Sequence, residues 1–178
     1  MSDPALPLAA MVYEADEGPE MDRILEDLAD GLSITGVRLA GAVQHTESQA
    51  STPRCDMVLK DLGSGRLRQI SVSRDIEVQG CRMEPASIEM LAMLASEAVE
   101  SGADLFILNR FGKNEAAGRG YRETISHALS AGIPVLVGVS AANLPKWEGF
   151  ATSGYHRLAV DADAARQWCA DALGARAK

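Results

Sequence analysis

The stretch Ala103-Asp104-Leu105-Phe106-Ile107-Leu108-Asn109 decides the fold: it is short, nearly all apolar and preceded by Gly102. An apolar run of that length between turn residues reads as a strand buried on both faces. Upstream, Pro85 opens a strongly apolar helix running to about Ser101, with Ile88, Leu91, Ala92, Ala95, Ala98 and Val99 on one face. Downstream, a helix centred on Ile125, Ala128 and Leu129 is ended by Gly132, and residues 133–139 form a second buried strand. Toward the N-terminus, residues 8–13 read as a strand. Met21, Ile24, Leu25, Leu28 and Leu32 then recur at helical spacing over residues 18–33, with Pro19 in the first turn. Residues 37–43 make another strand, and two arms around Gly63-Ser64-Gly65, residues 57–61 and 67–72, read as a β-hairpin. A short helix over 144–151, a strand near 157–160 and a helix from Asp161, a cap residue, to Leu173 complete the chain. This alternation predicts a single α/β domain over residues 1–178, with a mainly parallel sheet, helices on both faces and one hairpin insertion.

A chain of 178 residues with 47% hydrophobic and 24% charged residues is an ordinary globular mixture, and 4% aromatics leave the core to Leu, Ile, Val, Ala and Met. The net charge of −8 argues against nucleic-acid binding, because a phosphate backbone would be repelled by most of the surface. Cys55, Cys81 and Cys169 form no metal-ligand spacing and leave an odd thiol, which favours a reducing compartment. No secretory signal and no apolar stretch of membrane-spanning length is visible, so the expectation is a cytoplasmic protein without membrane insertion.

In parallel sheets ligands bind at the carboxyl ends of the strands, so the loops after Tyr13, Val43, Asn109 and Val139 matter most. The one after Asn109 places Arg110, Lys113, Arg119 and Arg122 within thirteen positions of an acidic protein, with Gly112, Gly118 and Gly120 permitting close backbone approach to a ligand. Cations entering a helix start oppose its dipole, and that conflict points to anion binding. The alternative is a solvated loop with structural salt bridges, Arg110 or Arg122 reaching the acids of residues 14–20. Arg82, in Gln79-Gly80-Cys81-Arg82, and His45, at the end of the second strand, are further candidates for an anion site. Cys81 beside Arg82 reads either as a thiol of lowered pKa or as a small buried side chain. The acids of residues 14–22, Glu14, Asp16, Glu17, Glu20 and Asp22, suit a Mg²⁺ ion, a basic partner or simply the first turn of a helix, a role that fits Glu17 and Glu20.

The segment ILNRFGKNEAAGRGYR, together with CDMVLKDLGSGR (55–66), QGCRMEP (79–85) and AGIPVLVGVSAANLPKWEGFA (131–151), resembles the bacterial DUF2478 family. More distantly it is similar to P-loop nucleoside triphosphatases of the THEP1 type, which implies a P-loop NTPase-like scaffold. Members of the resembled family travel with molybdate uptake or molybdenum-cofactor functions, which implies an oxyanion or nucleotide context. The first loop, YEADEGPEMD, departs from the P-loop pattern: it has one glycine, no lysine and no hydroxyl residue, and the strand that would end in a metal-binding acid ends in Asn109. Phosphoryl transfer without those charges loses much of its stabilisation, so ordinary NTPase activity is not expected.

Three functions follow. The first is a non-catalytic protein binding a small anion, molybdate, tungstate or a phosphorylated compound, through Asn109, Arg110, Lys113, Arg119, Arg122 and backbone N–H groups near the three glycines, with Arg82 and His45 in support. The second is an enzyme on a nucleotide or pterin phosphate with a rebuilt site, Glu115 acting as acid/base. The third is a regulatory or interaction protein, where Met90, Met93 and Leu94 would form a homo-oligomer face unless that helix is buried on two sides.

Overall fold

A computed structural model of the chain describes residues 6–46, 57–72 and 82–177, with 71, 72, 82 and 83 described by their backbone. In order the elements are β1 (Leu8–Tyr13), α1 (Gly18–Ile34), β2 (Leu39–Gln44), β3 (Val58–Asp61), β4 (Leu67–Gln69), β5 (Ser71–Val72), β6 (Arg82–Met83) and α2 (Pro85–Glu100). They continue with β7 (Leu105–Leu108), α3 (Lys113–Ala116), α4 (Arg122–Ser130), β8 (Val135–Ser140), α5 (Leu144–Phe150), β9 (His156–Leu158) and α6 (Ala162–Arg176). A seven-stranded sheet runs β4-β3-β2-β7-β8-β1-β9. Its five strands from β2 to β9 are parallel, and β3 and β4 add an antiparallel hairpin on the β2 edge.

The stretch that decided the fold lies near the centre, β7 pairing Phe106 with Ala40 of β2 on one side and with Val135 of β8 on the other. Its alternation serves both layers. Phe106 and Leu108 pack toward α2, α4 and α5, whereas Leu105 and Ile107 pack toward α1 and α6. All four are buried, and each contributes roughly 1.5–3 kcal/mol of transfer free energy. Helix starts follow the sequence signals: Pro19 and Pro85 sit in first turns, and the Asp161 carboxylate accepts the Ala164 N–H at 2.7 Å.

The hairpin differs from expectation in its second arm. Pairing with β3 runs through Gln69, the Ile70 N–H still donates to the Met57 carbonyl at 2.8 Å, and Ser71–Val72 then turns away to pair with Arg82–Met83. The basic segment after β7 is also more ordered than a loop, because a single helical turn, α3, is set inside it.

After β7 the chain crosses the neighbouring strand β8. The Phe111 N–H donates to the Gly138 carbonyl at 2.8 Å, so the chain leaving β7 passes directly over β8. A Cβ on Gly138 would collide with the Asn109 carbonyl oxygen and the Met21 sulfur. Glycine there is what allows this close passage.

Candidate anion-binding site

Asn109 continues the β7 alternation onto the α1 face and is buried. The next residue, Arg110, donates from Nη2 to the Asp22 Oδ2 at 2.7 Å and lies 5.7 Å from the centre of the Tyr13 ring. Asp22, in the second turn of α1, is only 1% exposed, while the Arg110 side chain keeps 37% of its surface. Burial raises the Asp22 pKa; Arg110, by charge and hydrogen bond, and Asn109 pull it back, while Glu26 one turn on adds to the rise. The first candidate cation is therefore engaged as an internal counter-ion. Its partner is Asp22, not an acid among residues 14–20. Of those acids, Glu17 accepts the Glu14 N–H at 2.7 Å, Glu20 sits in the first turn of α1, and Glu14 and Asp16 are exposed.

The glycine-rich segment is organised around an anion of its own. Glu115 is 5% exposed, and its carboxylate accepts the Gly112 N–H at 2.9 Å and the Tyr121 N–H at 3.2 Å. The Gly118 N–H donates to the Glu115 carbonyl at 3.1 Å and the Gly120 N–H to the Glu89 carboxylate at 3.0 Å. Each of these three glycine N–H groups thus has a partner inside the protein. Gly120 takes a positive φ of 61°, and a Cβ on it would collide with Glu115, so its glycine serves this internal packing. Arg122 turns back too, donating to the Glu115 carbonyl at 3.2 Å and lying 5.0 Å from the centre of the Phe150 ring. Lys113 and Arg119 remain exposed.

On the opposite, α2-facing side of the same strand end lies a cleft of about 470 Å³. Its walls are Met57, Leu59, Ile70, Ile88 and Leu108, with Tyr121 among them, and Asn109, Arg110, Lys113 and Asn114 stand around it. These walls come from the hairpin, α2, β7 and the start of α4, segments far apart in the chain. Tyr121 was not among the sequence candidates; no local pattern marks it. It is 2% exposed, and its hydroxyl finds no hydrogen-bond partner among the described residues. Burial, followed by the charges of Asp61 and Glu115, pushes its pKa far above the ordinary phenol range, so the hydroxyl stays protonated.

His45 belongs to a separate cluster at the end of β2. Its Nδ1 lies 2.6 Å from the Glu26 Oε1, and the Glu26 Oε2 accepts the Thr46 N–H at 2.9 Å and hydroxyl at 2.6 Å. Burial works to raise the Glu26 pKa, but the bonds from Thr46 and His45 outweigh it and hold the carboxyl below its ordinary value. The Arg82 backbone is placed in β6, its side chain is not described, and Cys81 lies outside the described residues. Met90 and Met93 are 45% and 65% exposed on α2, while Leu94 packs against the core. Among the described residues no helix is long and apolar enough to cross a membrane, and no group of three or more His, Cys, Asp or Glu could hold a metal ion.

Over residues 8–168 the chain matches the family described as "Protein of unknown function (DUF2478)". It is also 32% identical, over 143 residues, to the molybdenum import ATP-binding protein ModC 2 of Bradyrhizobium diazoefficiens. That alignment takes in 80% of this chain and 16% of the relative, so the chain spans about a sixth of the length of the curated protein it matches. No solved structure matches the chain. With this relative and the sheet described above, the fold is α/β and P-loop NTPase-like.

Proposed function

This chain belongs to the DUF2478 family, and from that premise and the geometry of its cleft we propose that it is a non-catalytic accessory of molybdenum metabolism that binds a phosphorylated organic anion. The molybdenum context comes from the import protein it resembles. The observation that supports the ligand is the cleft after β7: aliphatic walls, with Lys113 and Asn114 around them. Its volume of about 470 Å³ suits an organic ligand, since such pockets typically measure about 300–1,000 Å³. A bare molybdate or tungstate needs several convergent donors, and the walls supply none while the glycine N–H groups are occupied. Lys113 is the charge that meets the phosphate, with Arg119 as outer support. Arg110 acts from its pair with Asp22 rather than as a free cation. Glu115, satisfied by backbone N–H groups, holds the loop and takes no part in proton transfer. A cytoplasmic protein with no affinity for nucleic acid fits the net charge of −8.

Calorimetry with molybdate, tungstate, phosphate, sulfate and a panel of phosphate esters tests the reading. At least one ester binds, and Lys113→Ala weakens it roughly tenfold or more, the usual loss for a charged hydrogen bond. If no ester binds, the proposal fails; if inorganic oxyanions alone bind, the ligand is the bare oxyanion instead.

A regulatory role is a second reading, favoured by one observation: the related stretch is a minor part of a much longer import ATP-binding protein. A unit of this kind would act on the ATP-hydrolysing partner of a molybdate importer, and a change in that partner's ATPase rate on adding the chain checks it.

A further inference from the structure

Taking the cleft as the anion site proposed above, we infer that filling it with an anion places a proton on Asp22, with Arg110 as the shared group that couples the two. Arg110 borders the cleft and is also the counter-ion of Asp22, its Nη2 donating to the Asp22 Oδ2 at 2.7 Å. The two ends of this link differ in exposure. Arg110 keeps 37% of its side-chain surface, whereas Asp22 keeps 1% and has little water to replace the guanidinium. A carboxylate buried to that degree stays ionised only while a partner compensates its charge.

An anion in the cleft acts on that pair in one direction. It competes for the guanidinium and adds negative charge beside it, and both effects disfavour the ionised form of Asp22. The other groups facing Asp22 bring no compensating cation: Glu26, one turn on in α1, and Tyr13 of β1 are acids, and Asn109 offers only an amide. His45, from β2, pairs with Glu26, its Nδ1 2.6 Å from the Oε1. A proton taken from solvent onto Asp22 resolves the conflict, because it neutralises the buried carboxyl and leaves the arginine charge to the ligand. Such coupling is reciprocal, so the protein with Asp22 protonated binds anions more tightly. Affinity therefore rises as pH falls through the range in which Asp22 titrates, by at most about tenfold per pH unit for one proton. Glu115 also lines the cleft, but its carboxylate is held by the backbone N–H groups of Gly112 and Tyr121, not by a cation that the ligand would share.

Calorimetry on the full chain with butyl phosphate, phenyl phosphate and dibutyl phosphate, between pH 5 and 8 and in buffers of different ionisation enthalpy, counts the protons taken up on binding. Asp22→Asn is measured alongside, so that the titration of the ester itself cancels. The parent is expected to take up part of a proton that Asp22→Asn does not, and to gain at least about threefold more affinity than the variant between pH 8 and pH 5. The variant, with Arg110 released from its pair, is expected to bind at neutral pH at least as tightly as the parent, which a folding defect would not produce. NMR of the Asp22 carboxyl carbon needs no variant: its titration should move to higher pH when the ester is bound. Proton uptake equal in the two proteins, or an Asp22 titration indifferent to the ester, puts the proton elsewhere and overturns the inference while leaving the anion site standing. Failure of all three esters to bind overturns both.

Discussion

Replacing Arg110 by alanine gives the sharpest test of the electrostatics at this sheet edge. The substitution leaves the Asp22 carboxylate, 1% exposed, without the guanidinium that now lies 2.7 Å away. Breaking a buried ion pair by removing one partner costs about 3–5 kcal/mol. Arg110 is more than a third exposed, so water already screens part of the attraction and the lower figure, about 3 kcal/mol, applies. For a chain of this size that corresponds to a fall in melting temperature of roughly 6–12 °C near neutral pH. The loss should depend on pH in a definite sense. Burial already holds the Asp22 pKa above its ordinary value, and without Arg110 it rises further. A carboxyl whose folded pKa exceeds its unfolded pKa binds protons more readily in the folded state, so acidification favours folding. The deficit of Arg110→Ala therefore shrinks as pH falls through the raised folded pKa, and Asp22→Asn added to Arg110→Ala restores most of it at every pH. Thermal melts of the parent and both variants between pH 5 and 8 measure this. A drop of less than about 2 °C, or a deficit that does not change with pH, would refute the reasoning.

Two further predictions concern the other buried carboxylates. Glu26, with its pKa held below the ordinary value, contributes stability that is present above its unfolded pKa and lost as pH falls through the folded one. Glu26→Gln should cost about 1–2 kcal/mol at neutral pH and flatten the acid limb of the stability curve, read by denaturant titration. Glu115→Gln weakens two backbone hydrogen bonds and should cost about 1–3 kcal/mol, with faster amide exchange at Gly112 and Tyr121. If the exchange of those two amides is unchanged, the loop is not organised around Glu115.

The layered α/β fold was legible because its signals are local. A run such as Leu105-Phe106-Ile107-Leu108 needs no knowledge of its neighbours to read as a buried strand, and Pro85 marks a helix start unaided. The short turn α3 was not legible, because one turn of helix has no periodicity to display and owes its existence to what Glu115 accepts from Gly112 and Tyr121. The cations were visible, and Arg110 was read as able to reach the acidic start of the first helix, but its individual partner, Asp22, was not. Arg110 and Asp22 stand 88 positions apart, and only the fold brings these two side chains together. Of the glycines that suggested an anion nest, Gly112 donates its N–H to the Glu115 carboxylate and Gly120 to that of Glu89, anions the protein supplies itself. The cleft escaped for a different reason: its walls are ordinary core residues, marked only by what they leave uncovered.

These observations also favour the α2 side of this edge for the proposed ligand site. In a phosphate-binding loop the start of α1 faces the ligand directly, with glycine backbone and a lysine around it. Here the Arg110 guanidinium lies against Gly18, the Tyr13 ring and Asp22, filling that side with a paired cation from within. A nucleotide phosphate arriving there would meet exposed Glu14 and Asp16 and would have to displace Asp22 from its arginine. The chain after β7 crosses β8 through the contact of Phe111 with Gly138, and Arg110 borders both this filled side and the cleft. Two sides of one strand end thus carry opposite characters: ionic and closed toward α1, apolar with cationic and amide groups around it toward α2. A lysine introduced into the β1–α1 loop would still face the Arg110–Asp22 pair, which occupies that side from within.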